Sequence, residues 1–447
     1  MTRYASTSKA TQTGSTLLDI LCRPDPRIID QWKGTSLSNT VSETDSFDHV
    51  QIQSVTRWTD FTYEAIVLAY GDILNRHIRD FANDVGELRY YQEPNDPPMT
   101  PSIIIKEDDV DTLGISWSCE VVRGPIKAAA GVLRPRLKST DASEGKSLSK
   151  SLAAKPNATL AAKKVSWVKP KTGSKRVTIN PDWLVMDHTV LHLYSTEDAG
   201  ERVEDKWKPL VYALGDSKLE QKWQSHWLAM SARDLAQKGY GRYESERLKP
   251  LDQIATYCRY GETRYAYIVT QKELVALRVR RVLERSGKPG GPVYSAVEYA
   301  SVPWGSTEGL TVNLAIWALG CMGMNDKHRR MQNSKGYAPD MPRLTYWEYD
   351  AKYKDYKNEI SGRRIRQEDW NRKWEANGTV TTDSRRGWLL SSPPGSSKGS
   401  SAGAGPGAGA GCSAGTGSGS NDHLVTQMSN LDIGGRARTP SGSPPRR

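Results

Sequence analysis

The chain has 447 residues, 37% of them hydrophobic, and a formal net charge of +11. That length allows one large or two ordinary domains with a real core, but the low hydrophobic share predicts that part of the chain does not pack. The charge favours a polyanionic partner. Twelve Lys or Arg against two acids between Arg134 and Arg176 put most of the excess in one basic arm or linker. Five scattered cysteines without CxxC spacing argue against a disulfide framework or zinc module and for a reducing compartment. The N-terminus lacks the apolar core of a secretory signal, and "LAIWALGCMGM" (314–324) is shorter than the roughly 20 residues that span a bilayer. The expectation is an intracellular protein, nuclear or cytoplasmic, with no membrane segment.

In chain order, residues 1–45 are Ser/Thr-rich and read as loosely ordered. Over 57–84 the pattern turns helical, with Ile66, Ile73, Leu74, Ile78 and Phe81 near the helical period. After a Pro-rich break, "SIIIK" and "LGISWSCEVV" read as strands. Residues 138–164 are basic and low in complexity, which predicts a disordered insertion. "INPDWLVMD" and "VYALGDSKLEQKW" contain two short apolar strands. "RLKPLDQIATYCRYG" predicts a helix opened by Pro250, with Leu251, Ile254 and Cys258 on its apolar face and Gly261 after its end. "RYAYIVT" and "LVALRVRRV" suit a hairpin across Gln271, Lys272 and Glu273. From 391 onward a Gly/Ala/Ser-rich tail offers nothing to pack, and its Thr439 and Ser443 precede prolines. Strands and helices together predict an α/β domain over 46–390 with a mixed sheet.

Asp216 and Lys218 lie two apart at the end of the apolar run "LVYAL", so on a strand they share a face. An acid-x-Lys triplet alone carries little. It recurs at Glu144, Glu204, Asp350 and Asp355, all in polar surroundings. Upstream, Pro181 and Asp182 open the preceding strand. Downstream, Gln253 and Tyr257 lie four apart on one helix face.

This set of PD, D-x-K and QxxxY resembles the PD-(D/E)XK nuclease superfamily. "PDWLV", "GDSK", "PLDQIATYC", "TRYAYIVTQKELVALRVRR", "VEYASVPW" and "LTVNLAIWAL" are similar to the PD-(D/E)XK-like domain of many uncharacterised proteins of filamentous fungi. The likeness is best over 176–325 and looser over 57–135. It implies a restriction-endonuclease-like α/β core, a mixed β-sheet flanked by helices; the disordered N- and C-terminal segments are expected from composition and lie outside the likeness. It also implies metal-dependent hydrolysis of DNA phosphodiester bonds, the nucleic-acid partner being DNA by the family's habit.

By the family's pattern Asp182 and Asp216 hold Mg²⁺, with Mn²⁺ as a substitute, and the Ser217 carbonyl adds an oxygen. Lys218 positions or helps activate the attacking water and stabilises the phosphorane-like charge, and Gln253 and Tyr257 support the lysine and the substrate backbone. An early-helix acid completes such sites, and Glu64 is the candidate, both as catalytic residue and as metal ligand. The chemistry is consistent with these residue types, because a hard dication accepts oxygen ligands and serves nucleophile, phosphate and leaving group together. Asp187, five residues after Asp182, is an alternative ligand or simply a strand-end acid.

Other patterns weigh less. His188 and His192 share a strand face with no third ligand beside them. Tyr346, Tyr349, Tyr353 and Tyr356 fall at helical spacing among basic residues, which suits single-stranded nucleic acid or packing onto the parent domain. Two other functions stay open: an inactive nuclease-like fold that binds nucleic acid through the basic arm, with Asp216 and Lys218 as a structural ion pair, and a protein-interaction module. Oligomeric state is not legible.

Overall fold

Seven strands form the central sheet: β1 (Val50–Arg57), β2 (Ala158–Ala162), β3 (Trp183–Asp187), β4 (Val211–Ser217), β5 (Tyr265–Val269), β6 (Glu273–Val282) and β7 (Val293–Pro303). Their spatial order is β1-β7-β6-β5-β4-β3-β2. The β1–β7 and β4–β5 pairs are parallel and the other four antiparallel, so the sheet is mixed. The computed structural model describes residues 15–30, 50–81, 102–104, 106–138, 158–162, 167–169, 177–179, 181–187, 211–237, 247–282, 293–306, 309–331, 341–371, 380–383 and 387–390. The chain divides into two units, Met1–Pro394 and Gly395–Arg447, and every described residue belongs to the first. The tail from 391, Cys412, Thr439, Ser443, His188 and His192 lie outside the described residues.

Period-2 alternation splits the strand side chains between two cores. On β5, Tyr265, Tyr267 and Val269 enter one core while Ala266 and Ile268 enter the other. Because both faces are covered, the central strands read as unbroken apolar runs. The helices are α1 (Leu17–Leu21), α2 (Tyr63–Leu74), α3 (Glu107–Leu113), α4 (Cys119–Lys138), α5 (Lys249–Gly261) and α6 (Val312–Gly323). Helices α1 to α4 and α6 contribute to the first core and α5 to the second.

Helix α6 is buried along its whole length, as a helix apolar all round must be. Thr311 caps it, accepting from the Leu314 amide at 3.2 Å and donating to the Leu21 carbonyl at 2.7 Å. Helix α5 grips the edge strand: the amides of Val50 and Ile52 donate to Thr256 Oγ1 (3.1 Å) and Asp252 Oδ1 (2.9 Å). Among the described residues no helix is long and apolar enough to cross a membrane.

Several sequence expectations are corrected. The stretch 113–122 is not a strand. Helices α3 and α4 run through a π-helical turn at Gly114–Ser118, and Val110, Leu113, Trp117 and Val121 supply a buried helical stripe. Residues 158–162, assigned to the disordered insertion, form β2, which caps the sheet by pairing with β3; 139–157 lie outside the described residues. Within the supposedly loose N-terminus, a Thr16–Asp19 capping box starts α1, and Leu17, Ile20 and Leu21 sit in the core.

The helix expected from 57 starts after Thr62, because Arg57 is still in β1. At the end of α5 it is Glu262, at φ 50°, that takes the left-handed cap conformation. The tyrosines at 346–356 form no helix: Tyr346, Tyr349 and Tyr356 lie on strands and Tyr353 in the turn between them. β8 (Tyr346–Asp350) and β9 (Asp355–Asn358) pair directly within a second sheet, which β10 (Arg364–Arg366), β11 (Val380–Asp383) and β12 (Gly387–Leu390) complete. Tyr349 faces Tyr356 across that pair, and the turn between passes through Lys354 at φ 52°.

One close approach fixes α6 against the sheet. A Cβ on Gly323 would lie 2.0 Å from the Tyr212 carbonyl oxygen. Backbone on both sides cannot yield as a side chain can. Gly323→Ala is therefore expected to cost about 3 kcal/mol or more in urea unfolding, at the upper end of overpacking effects; an unchanged midpoint would contradict this packing.

Candidate functional site

The site is built at the carboxyl ends of β4 and β5. On β4 a bulge lies opposite Val185/Met186. Beyond it, Leu214 faces the core under α5, so Asp216 and Lys218 face the same way. Gly215 makes this register possible, since a Cβ there would lie 2.4 Å from the Tyr267 ring. Trp183 pairs with Gly215, and continuing that antiparallel register sets Asp182 across from Asp216 on the same face. Trp183 itself points to the other face, where its Nε1 donates to Ser217 Oγ at 2.9 Å.

Asp216 is 2% exposed and Lys218 8%. The Lys218 ammonium pairs with Asp216 Oδ2, donates to the Ser217 carbonyl at 3.0 Å and lies 3.5 Å from Glu107 Oε1. Asp182 Oδ2 accepts the Ser217 amide at 2.9 Å. Gln253 Nε2 donates to the Tyr257 hydroxyl at 2.6 Å, and that hydroxyl feels the charges of Asp216, Lys218 and Asp182. The structure thus brings Asp182, Asp216, Lys218, Gln253 and Tyr257 together.

Glu64 does not join them. It is exposed in the first turn of α2, beside Tyr63, itself close to Asp19 and Cys22. The acids that act on the site are Glu107 and Asp111, which the sequence reading missed. They lie four apart on α3 and so share a face. Glu107 reaches Lys218, and its Oε2 accepts from Lys222 at 3.1 Å. Asp111, 4% exposed, acts on Asp182 through its charge. The helical stripe from Val110 to Val121 could have shown a helix here, with Glu107 one turn before Asp111, but not that its first turn lies over the site.

Among the described residues, Asp216 and Glu107 thus pair with Lys218, Lys222 holds Glu107, and Asp182 feels the charges of Asp216 and Asp111, all in a poorly hydrated place. Burial, then the charge of Asp216, pushes the Asp182 carboxyl up to about 8 despite the Ser217 amide. Burial raises Asp216 too, against the pull of Lys218. For Lys218 burial opposes the charge, but Asp216 and Glu107 outweigh it and hold the ammonium above the usual lysine range. Tyr257 is raised by burial and by Asp216, and so stays a neutral hydroxyl at physiological pH.

The donors are all hard oxygens, the chemistry that Mg²⁺ selects, and the Lys218 ammonium lies among them. Among the described residues, however, no three His, Cys, Asp or Glu side chains close around one point. Neighbouring groups steady the loop after β4. Gln271 Oε1 accepts the Glu220 amide at 2.9 Å, and Gln271 Nε2 donates to Gln221 Oε1 at 3.0 Å, which fixes the turn that carries Lys222.

Asp187 is the strand-end acid and not a ligand here. It sits at the opposite end of β3 with Arg134 Nη1 at 2.7 Å, and Arg134 also donates to the Tyr212 hydroxyl at 2.5 Å. Arg134→Met would leave a buried carboxylate without its guanidinium and is expected to cost about 3–5 kcal/mol. Chemical denaturation reads this directly, and a loss under 1 kcal/mol would contradict it. In the second sheet, Tyr356 packs on Trp370, while Tyr353 is 58% exposed under Arg364 and Lys352. No protein-family model matches the chain, and no curated protein matches it.

Proposed function

We propose that this protein is a metal-dependent nuclease that hydrolyses DNA phosphodiester bonds, with a restriction-endonuclease-like core of the PD-(D/E)XK kind. The observation that carries the reading is the meeting of Asp182 and Asp216 across adjoining strand ends, with Lys218 between them and Glu107. A structural ion pair needs one acid and one base, whereas here Asp216 and Glu107 both address Lys218 and Asp182 stands beside Asp216. A divalent cation would relieve the crowding of these acids, and their oxygen donors suit it.

Asp182 and Asp216, with the Ser217 carbonyl, would hold Mg²⁺ or Mn²⁺, which when bound supplies phosphate neutralisation and a more acidic water. Lys218, held as an ammonium, cannot act as a general base. Its part is to stabilise the negative charge that grows on the phosphoryl oxygens. Asp182, which accepts the Ser217 amide, would serve there as a ligand and not as the base, since a carboxylate beside a dication has little affinity for a proton. Gln253 and Tyr257 present a neutral amide and hydroxyl to the substrate backbone beside the lysine.

The test is a cleavage assay of full-length protein on linear, circular and single-stranded DNA and on RNA, each with Mg²⁺, Mn²⁺ or EDTA. Cleavage of DNA that needs the cation is the expected result. Binding without cleavage under every condition would leave an inert nuclease-like fold that holds nucleic acid.

A further inference from the structure

We infer that Lys218 is a tethered competitor for the divalent cation: its ammonium fills the oxygen cradle of Asp216, Ser217 and Glu107 while the metal is absent, and the metal displaces it on binding. The inference rests on the metal-dependent reading above and concerns how that site is loaded.

An ammonium has three donors, and three oxygen acceptors surround this one: Asp216 Oδ2, the Ser217 carbonyl at 3.0 Å and Glu107 Oε1 at 3.5 Å. Two of the three, Asp216 and the Ser217 carbonyl, are the oxygens assigned to the metal. A dication and an ammonium cannot share them at such range without strong repulsion, least of all in a site this poorly hydrated. A four-carbon stem lets the ammonium swing without moving β4. Its new place lies towards the Gln253–Tyr257 pair, whose hydroxyl already feels its charge. Glu107 need not be left uncompensated when the ammonium departs, because Lys222 holds its other oxygen at 3.1 Å.

Two consequences follow. Lys218 lowers the intrinsic affinity of the site for the metal, and by reciprocity the metal sets the position of Lys218. The lysine is then presented to a scissile phosphate only in the loaded site, so that metal binding itself arms it. Glu107 acts as a positioning residue, which parks the ammonium in the unloaded state.

The test is Mn²⁺ titration of the full-length protein without nucleic acid, followed by the electron paramagnetic resonance of free Mn²⁺. Wild type is compared with Lys218→Met, which keeps the stem, and Lys218→Gln, which also keeps a donor. Removal of the charge is expected to tighten Mn²⁺ binding at least about tenfold in both variants, with Asp216→Asn abolishing it. Affinity unchanged or weakened in both, alongside measurable binding by wild type, overturns the competition and leaves the metal site standing. No Mn²⁺ binding by any folded form removes the metal reading itself.

Should both variants unfold, the wild type decides the matter. Acylation of Lys218, read by mass spectrometry, is expected to speed up when Ca²⁺ is bound, as seen by a rise in thermal midpoint. A rate that Ca²⁺ binding leaves unchanged overturns the proposal.

Discussion

Asp182→Asn is expected to make the protein more stable than wild type at pH 8 in EDTA, by up to about 5 kcal/mol, with the difference vanishing near pH 4. The sign follows from the direction of the shift. The Asp182 carboxyl rises from 3.8 in the unfolded chain to about 8 in the fold, through burial and then the charge of Asp216. The native state therefore holds this proton more tightly than the unfolded chain does. Stability from this group is full below pH 4 and is lost as pH rises through about 8. Asparagine is neutral throughout and keeps an oxygen for the Ser217 amide, so it removes the pH dependence that belongs to this group and leaves that of Asp216. Urea midpoints for the two proteins from pH 4 to 8.5 read the effect, and parallel curves would contradict it. Saturating Mg²⁺ at pH 8 should stabilise the wild type and leave Asp182→Asn nearly unmoved, because the cation offsets the repulsion that the variant lacks.

The second large effect is on activity. Asp216→Ala and Lys218→Ala are each expected to slow single-turnover cleavage by about 10²–10³-fold or more, the scale for removing a preorganised charge at a reacting centre. Both changes break a buried pair and should also cost stability, about 3–5 kcal/mol, so the assay requires a circular-dichroism check that each variant is folded. Glu64→Ala, by contrast, should cleave like wild type, because Glu64 is exposed on α2 and apart from the site. Equal loss in Glu64→Ala would show that the site is drawn around the wrong acids.

What could be read ahead of the structure was what local pattern controls. "LVYAL" before Asp216, "WLVM" after Asp182 and the pair 264–282 are short apolar runs bounded by polar residues, and they are strands. Pro250, Leu251, Ile254 and Cys258 mark a helix by spacing alone, and that helix carries Gln253 and Tyr257 to the site. The coarse class followed: mixed α/β, a large mixed sheet with helices on both faces.

The failures have one cause, context beyond the local window. "GISWSCEVV" is rich in residues that favour strands, and Pro125 and Pro135 argue against a helix, yet the apolar stripe of α3 and α4 is buried and decides the matter. The tyrosines from 346 to 356 keep a helical interval by coincidence of a strand, a four-residue turn and a second strand. Residues 158–162 look like filler until β3 offers them an edge. Glu107 and Asp111 were invisible for the same reason. Nothing in "KEDDVDTL" indicates that this helix start lies over the end of β4, where Lys218 and Asp182 meet its two acids.

The central claim is that Asp182 and Asp216 address one cation. The measurement that tests it most directly is the anomalous difference map of a crystal soaked in Mn²⁺. The account predicts a peak within ligating distance of both carboxylates and of the Ser217 carbonyl, with the Lys218 ammonium moved off Asp216. A well-ordered map at saturating Mn²⁺, with no peak there and Lys218 still seated between Asp216 and Glu107, would contradict it.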